Sequence, residues 1–165
     1  MLSVFRFESF FSVWYWALTV VVWALVCQRT LGVPHDMVVR AARLPEVAER
    51  VDLLARIGAE RLAGIGDACG AWAAAAAGFA LAGLATLAYA YRVEAAEAAF
   101  LLAFPLAAAG FGTLRLARQV RARRLSGEAL RKRLSRRRAI NQAIAMVAMV
   151  TAAVAALGHP PRFGF

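Results

Sequence analysis

His35 and His159 are the only imidazoles in this chain of 165 residues, and Cys27 and Cys69 are its only thiols. Haem held by two histidines of one chain would need both on one side of any membrane, and a long apolar stretch separates these two. His35 stands beside Asp36, as a solvated loop residue does. The cysteines lie 42 positions apart and form no CxxC, so spacing indicates neither a zinc site nor a redox dithiol. Both read as small apolar residues. There is no glycine-rich phosphate loop, no paired metal-ligand spacing and no nucleophile elbow. We expect no cofactor and no enzymatic activity.

The carboxylates with the most chemical interest are Glu94 and Glu97, which follow Arg92 in "YRVEAAEAAF". An acid at the centre of a membrane helix costs about 2.5–3.5 kcal/mol, so acids found there tend to be functional. These two fall near the end of an apolar stretch, where pairing with Arg92 is easy. A hairpin-end ion pair is the first reading, and Glu97, one turn deeper, is the candidate for a proton or ion role. Asn141 and Gln142, at the start of the last apolar stretch, suit interhelical hydrogen bonds.

Charge is the strongest signal. The net charge is +10, and the segment from Arg115 to Arg138 carries all of it, with ten Arg and one Lys against the single acid Glu128. Arg118, Arg121, Arg123, Arg124, Arg131, Lys132, Arg133, Arg136, Arg137 and Arg138 are therefore candidates to contact anionic lipid or an acidic partner surface. A basic chain can be a nucleic-acid binder. Here the bases abut an apolar stretch and serve membrane orientation, so nucleic acid is not expected as a partner.

The elements that must hold these residues are apolar helices. Hydrophobic residues make up 62% of the chain and mean hydropathy is +0.60, too apolar for an ordinary soluble domain. Continuous apolar stretches cover about 10–27, 71–91, 95–114 and 139–158. Each approaches the ~20 residues that cross a bilayer core, and continuous rather than alternating apolarity selects helices. The expected class is all-α: one integral membrane domain of four transmembrane helices forming two antiparallel hairpins. Lys and Arg near helix ends resist translocation. Seventeen bases fall in the loops 28–70 and 115–138, against Arg6, Arg92 and Arg162 on the other side. This places both loops in the cytoplasm and both termini on the periplasmic side of a bacterial inner membrane.

Aromatics cluster at the outer level. Phe5, Phe7, Phe10, Phe11, Trp14, Tyr15 and Trp16 form an expected interfacial belt, with Trp14, Tyr15 and Trp16 as anchors and Tyr89 and Tyr91 at the same height. "ALVC" lacks the small residue that a lipoprotein signal needs before its cysteine, so the first apolar segment is expected in the mature protein. Gly78, Ala82, Gly83, Gly110 and Gly112 are expected to let helices approach closely, and Pro105 to kink the third span.

Both loops are expected to be helical. Pro45 suits the first turn of a helix to about Ile65, with Val47, Val51, Leu54, Ile57, Leu62 and Ile65 on an apolar face. That helix is open to three placements: flat on the inner leaflet, packed beneath the bundle, or docked to a partner. In the second loop the third span runs on to about Leu125, turns at "SGE", and a new helix leads into the fourth span. Leu116 and Val120 would face Leu130 and Leu134, giving an arginine-coated helical hairpin.

"FSVWYW" (11–16), "LGVPHDMVVRA" (31–41) and "YRVEAAEAAFLLAFPL" (91–106), in this order and spacing, resemble a family of small bacterial membrane proteins catalogued as a component of the SufBCD complex, which assembles iron–sulfur clusters. The likeness spans most of the chain and is loosest in the fourth span. It implies a four-helix membrane accessory to cluster assembly. That family carries an aromatic at the position of His35 and an uncharged polar residue at that of Glu97, which argues against catalysis at either. A cluster scaffold needs several convergent thiolates, so the role implied here is anchoring or docking. The leading expectation is a non-enzymatic accessory or scaffold that contacts a protein partner or a second copy through its cytoplasmic helices. Two alternatives stand beside it: a small oligomeric transporter or channel using Glu97, and a protein that binds anionic inner-leaflet lipids.

Overall fold

A computed structural model describes residues 13–158. The start of the first span, the aromatics Phe5, Phe7, Phe10 and Phe11, the bases Arg6 and Arg162, and His159 lie outside the described residues. The order of elements is α1 (Val13–Gln28), β1 (Arg29–Thr30), β2 (Val33–Pro34), α2 (His35–Arg40), α3 (Pro45–Ala85), α4 (Glu94–Arg123) and α5 (Gly127–Leu157). Three helical stretches, Pro45–Ala90, Glu94–Arg123 and Gly127–Leu157, are long and apolar enough to cross a membrane, and α1 is a shorter apolar helix. Length and composition thus suit a membrane protein.

α1 gives way to a two-residue hairpin that the sequence did not announce. Arg29 pairs with Pro34 and Thr30 with Val33, antiparallel. Leu31 and Gly32 at the turn both have positive φ, 53° and 78°. This is the backbone of the tight turns that match strand twist, easy for glycine and strained for leucine. Burial holds the strained residue in place: Leu31 and Val33 are both buried against α3.

α3 corrects the expected boundary near Ile65. Pro45 does occupy the first turn, after an extended Leu44. No proline follows to break the ladder, so one helix of 41 residues runs about 60 Å from loop to apolar stretch. It ends in a π turn, Thr86–Ala90, and the chain reverses at Arg92 with φ 56°. α4 passes through Pro105 without interruption and extends beyond Leu114 to Arg123. Arg124 closes it in the left-handed conformation, and Ser126 precedes α5.

Two hydrophobic clusters divide the molecule along its long axis. At the arginine-rich end, Val51, Ala55, Ala59 and Ala63 of α3 pack with Leu116 and Val120 of α4 and Leu130 and Leu134 of α5. At the apolar end, Trp23 of α1 packs with Ala109 of α4 and with Ala145 and Ala148 of α5. α3 and α4 run antiparallel, as do α4 and α5, and α1 lies against α5.

The buried stripe of α3 is a second correction. Of the expected apolar face, Val51 is buried and Val47 and Leu62 pack against the cluster, but Leu54, Ile57 and Ile65 are exposed, and Ala55, Ala59 and Ala63 face the bundle instead. Small side chains let α4 come close, and the larger residues turn outward. Glycine placement also departs from expectation. Gly112 stands at a close approach as expected, but Gly78, Gly83 and Gly110 face open space, and Gly58 and Gly66 make close approaches that were not expected.

Candidate functional site

The hairpin of α4 and α5 positions the basic residues, and its geometry splits them into separate faces instead of one coat. The turn is fixed by α3: Asp52 Oδ2 accepts a hydrogen bond from the backbone N–H of Gly127 at 2.7 Å, satisfying one of the free donors that open α5.

Arg118 and Arg121 face α3. Arg118 donates to the Gly66 carbonyl at 3.1 Å and lies 3.5 Å from Asp67 Oδ1, and Arg121 pairs with Asp67 Oδ2. The hydrogen bond from Arg121, with the positive charges of both arginines, holds the Asp67 carboxyl below its usual range. Arg123 and Arg124 are exposed at the tip. Arg124 and Arg121 border a recess of about 510 Å³ whose other wall carries Glu49, Asp52 and Glu60, so charge there is mixed. Lys132 pairs with Glu128 one turn away at 2.7 Å, and with Arg131 it borders α2 at Val38 and Val39.

Arg133, Arg136 and Arg137 face a different way. With Arg115 and Gln119 they line a recess of about 370 Å³ between α4 and α5, beside Phe111 and Ile140. Arg137 is the best-held of the four. Its Nη2 donates to the Ala109 carbonyl at 2.7 Å. A Cβ on Gly112 would stand 2.1 Å from its Nη1, so a larger residue there would push the guanidinium aside. Burial lowers its pKa from the usual arginine value. Its Nε is buried with no hydrogen-bond partner among the described residues.

Arg138 faces Cys27 and His35. Burial, and then the positive charge of Arg138, lower the pKa of His35, against an opposing effect of Asp36. Arg138 Nε and Asn141 Oδ1 are likewise buried without partners among the described residues.

The anchors and acids fall at the far end. Trp14 is exposed, Tyr15 and Trp16 are half-buried with their rings edge to face, and the Tyr15 hydroxyl donates to the Ala98 carbonyl at 3.3 Å. Glu94 and Glu97 occupy the first turn of α4 and are half-buried. Negative charge there complements the helix dipole. Among the described residues no group of three or more His, Cys, Asp or Glu could hold a metal ion.

The sequence reading passed over Arg115 and Gly112 as site residues. The signal for Arg115 was present in the stripe Phe104, Ala108, Phe111, Arg115, spaced four, three and four, which puts apolar and basic residues on one helix face. No protein-family model, curated protein or solved structure matches this chain, so the arrangement is read from its own chemistry.

Proposed function

We propose that this protein is a non-enzymatic accessory of the bacterial inner membrane that docks a larger complex through the cytoplasmic half of α3. The observation that carries this reading is the outward face of that half. Leu53, Ile57 and Ile65 are 60%, 54% and 56% exposed, at a level where the helix has left the apolar stretch, and Arg50 and Arg61 fall among them. A face of large apolar residues flanked by bases fits an amphipathic helix with acidic borders. Ala71–Ala80, exposed throughout and composed of small residues except for Trp72 and Phe79, offers further contact area within the bilayer to the same partner or to a second copy.

In this reading the chain crosses the membrane four times, α1 being the first span, with both termini periplasmic. The bases of the two loops then lie in the cytoplasm, as the positive-inside rule requires. The resemblance to the SufBCD-associated family adds iron–sulfur assembly as the context, with the role confined to anchoring. Glu94 and Glu97, at the mouth of α4 and not at mid-membrane, give the transporter reading little support.

The test is gentle extraction and crosslinking of the tagged protein, alongside the double variant Leu53→Asp/Ile57→Asp. The proposal expects the wild-type protein in a larger assembly and the variant, equally well folded, outside it. A protein that runs as a lone monomer in both forms refutes it.

A further inference from the structure

Between α4 and α5 runs a groove that changes character along its length. Toward the tip it is the recess of Arg115, Arg133, Arg136 and Arg137. Farther along the same two helices it becomes a recess of about 490 Å³ whose walls include Phe104, Ala108, Ile144 and Val147. The two recesses follow one another along the same faces of the two helices. On α4 the lining steps through Phe104, Ala108, Phe111 and Arg115, and on α5 through Thr151, Val147, Ile144, Ile140, Arg137 and Arg133. Steps of three and four keep each series on a single helix face. No acid lines either part.

The two ends ask for different chemistry in one ligand. Four guanidiniums on facing helices make a site for an anion, and their planar forks suit phosphate oxygens. Arg137 is held by its bond to the Ala109 carbonyl beside the bare backbone of Gly112, and its buried Nε has no partner among the described residues. A guanidinium so placed gains from an acceptor that shares its burial. The other end offers an almost wholly apolar wall. From Arg115 back to Phe104 is eleven residues, about 16 Å of helix. One leaflet of the hydrocarbon core is about 15 Å deep.

We infer that the α4/α5 groove binds one anionic glycerophospholipid, its phosphate held by Arg115, Arg133, Arg136 and Arg137 and an acyl chain lying along Phe104, Ala108 and Ile144. Basic pockets between membrane helices are suited to such headgroups. The inference rests on α4 and α5 crossing a bilayer, and not on the docking role of α3. It differs from diffuse attraction of a basic hairpin to an anionic surface, because it assigns binding to four of the eleven bases and to an apolar wall.

The experiment titrates delipidated full-length protein in detergent with phosphatidylglycerol, phosphatidylcholine or inorganic phosphate, counting bound molecules by native mass spectrometry. One phosphatidylglycerol per chain is expected, with phosphatidylcholine clearly weaker. Arg133→Gln/Arg137→Gln should weaken phosphatidylglycerol binding roughly 30-fold, from two near-surface bases. Arg123→Gln/Arg124→Gln removes the same charge from the exposed tip and should change it little. Ala108→Trp, which fills the apolar wall without altering charge, should weaken the lipid too.

Equal losses in the two double variants would show diffuse electrostatics and overturn the inference. So would inorganic phosphate that competes with the lipid at equal concentration, or an Ala108→Trp variant that binds normally. Alkaline carbonate washing of membranes separates the premise: release of the protein sinks the membrane reading, whereas retention without a bound lipid sinks only this inference.

Discussion

Replacing Gly58 by alanine tests how the β1–β2 hairpin is held on α3. An added Cβ would stand 2.2 Å from the Leu31 carbonyl oxygen and 3.0 Å from its carbon. Even close C–H···O contacts between backbones keep carbon and oxygen about 3.3 Å apart, so the two segments must separate by roughly 1 Å. Neither yields easily, since Gly58 lies inside a helix and Leu31 already has φ 53°. The turn that moves carries Leu31 and Val33, both buried in the cluster at the arginine-rich end. Overpacking of this kind costs about 1–3 kcal/mol. Alanine also gains about 0.8–1.0 kcal/mol over glycine in helix propensity, which obscures the cost in a single variant. Gly64→Ala supplies the correction. It lies six residues along the same helix with nothing within 4 Å of its added Cβ, so it takes the propensity gain alone. The difference between the two variants isolates the clash. Thermal unfolding in detergent, followed by far-UV circular dichroism, should place Gly58→Ala below Gly64→Ala by roughly 2–12 °C for a chain of this size. Coincident transitions, or a higher midpoint for Gly58→Ala, would refute the close approach.

Three further outcomes follow from the same geometry. Asp52→Ala removes the acceptor for the Gly127 N–H and should cost about 1 kcal/mol in denaturant unfolding, with Asp52→Asn keeping most of it. Burial, and then the charge of Arg138, lower the pKa of His35 from 6.5, with Asp36 opposing them. The folded state thus binds that proton less readily than the unfolded chain. Its contribution to stability is complete above about pH 6.5 and is lost as pH falls through the lower folded value, so His35→Gln should flatten that part of the stability profile. Cys69 is exposed on the loop half of α3 and Cys27 is half-buried. An impermeant thiol reagent should label neither in intact cells, and after permeabilisation should label Cys69 faster than Cys27; labelling of Cys69 from outside would reverse the proposed orientation.

The apolar stretches and the bases were legible in the sequence because both are local signals. Twenty apolar residues without a break define a helix that suits a bilayer, and the turn before Gly127 is written in "LSGE". The join between the loop helix and the next span was not legible. The loop helix was expected to end near Ile65, yet with no proline to break it the ladder of hydrogen bonds runs on through Gly66 and Gly70. The Leu31–Gly32 turn escaped for the opposite reason, since leucine rarely accepts positive φ unless burial over-determines it.

Which face of α3 is buried shows the division most clearly. The sequence by itself determined one apolar face on that helix, Val47, Val51, Leu54, Ile57, Leu62 and Ile65. Only the tertiary structure turned Leu54, Ile57 and Ile65 outward and set Ala55, Ala59 and Ala63 beside Val51, because α4 can approach closely only over small side chains. The basic segment divides in the same way. Composition determined that eleven bases lie between residues 115 and 138. Helix pairing decided that Arg118 and Arg121 are taken up by Asp67 and Gly66, while Arg115, Arg133, Arg136 and Arg137 open onto a groove. Charge is a property of the chain, but the direction in which each charge faces is set by the helix it packs against.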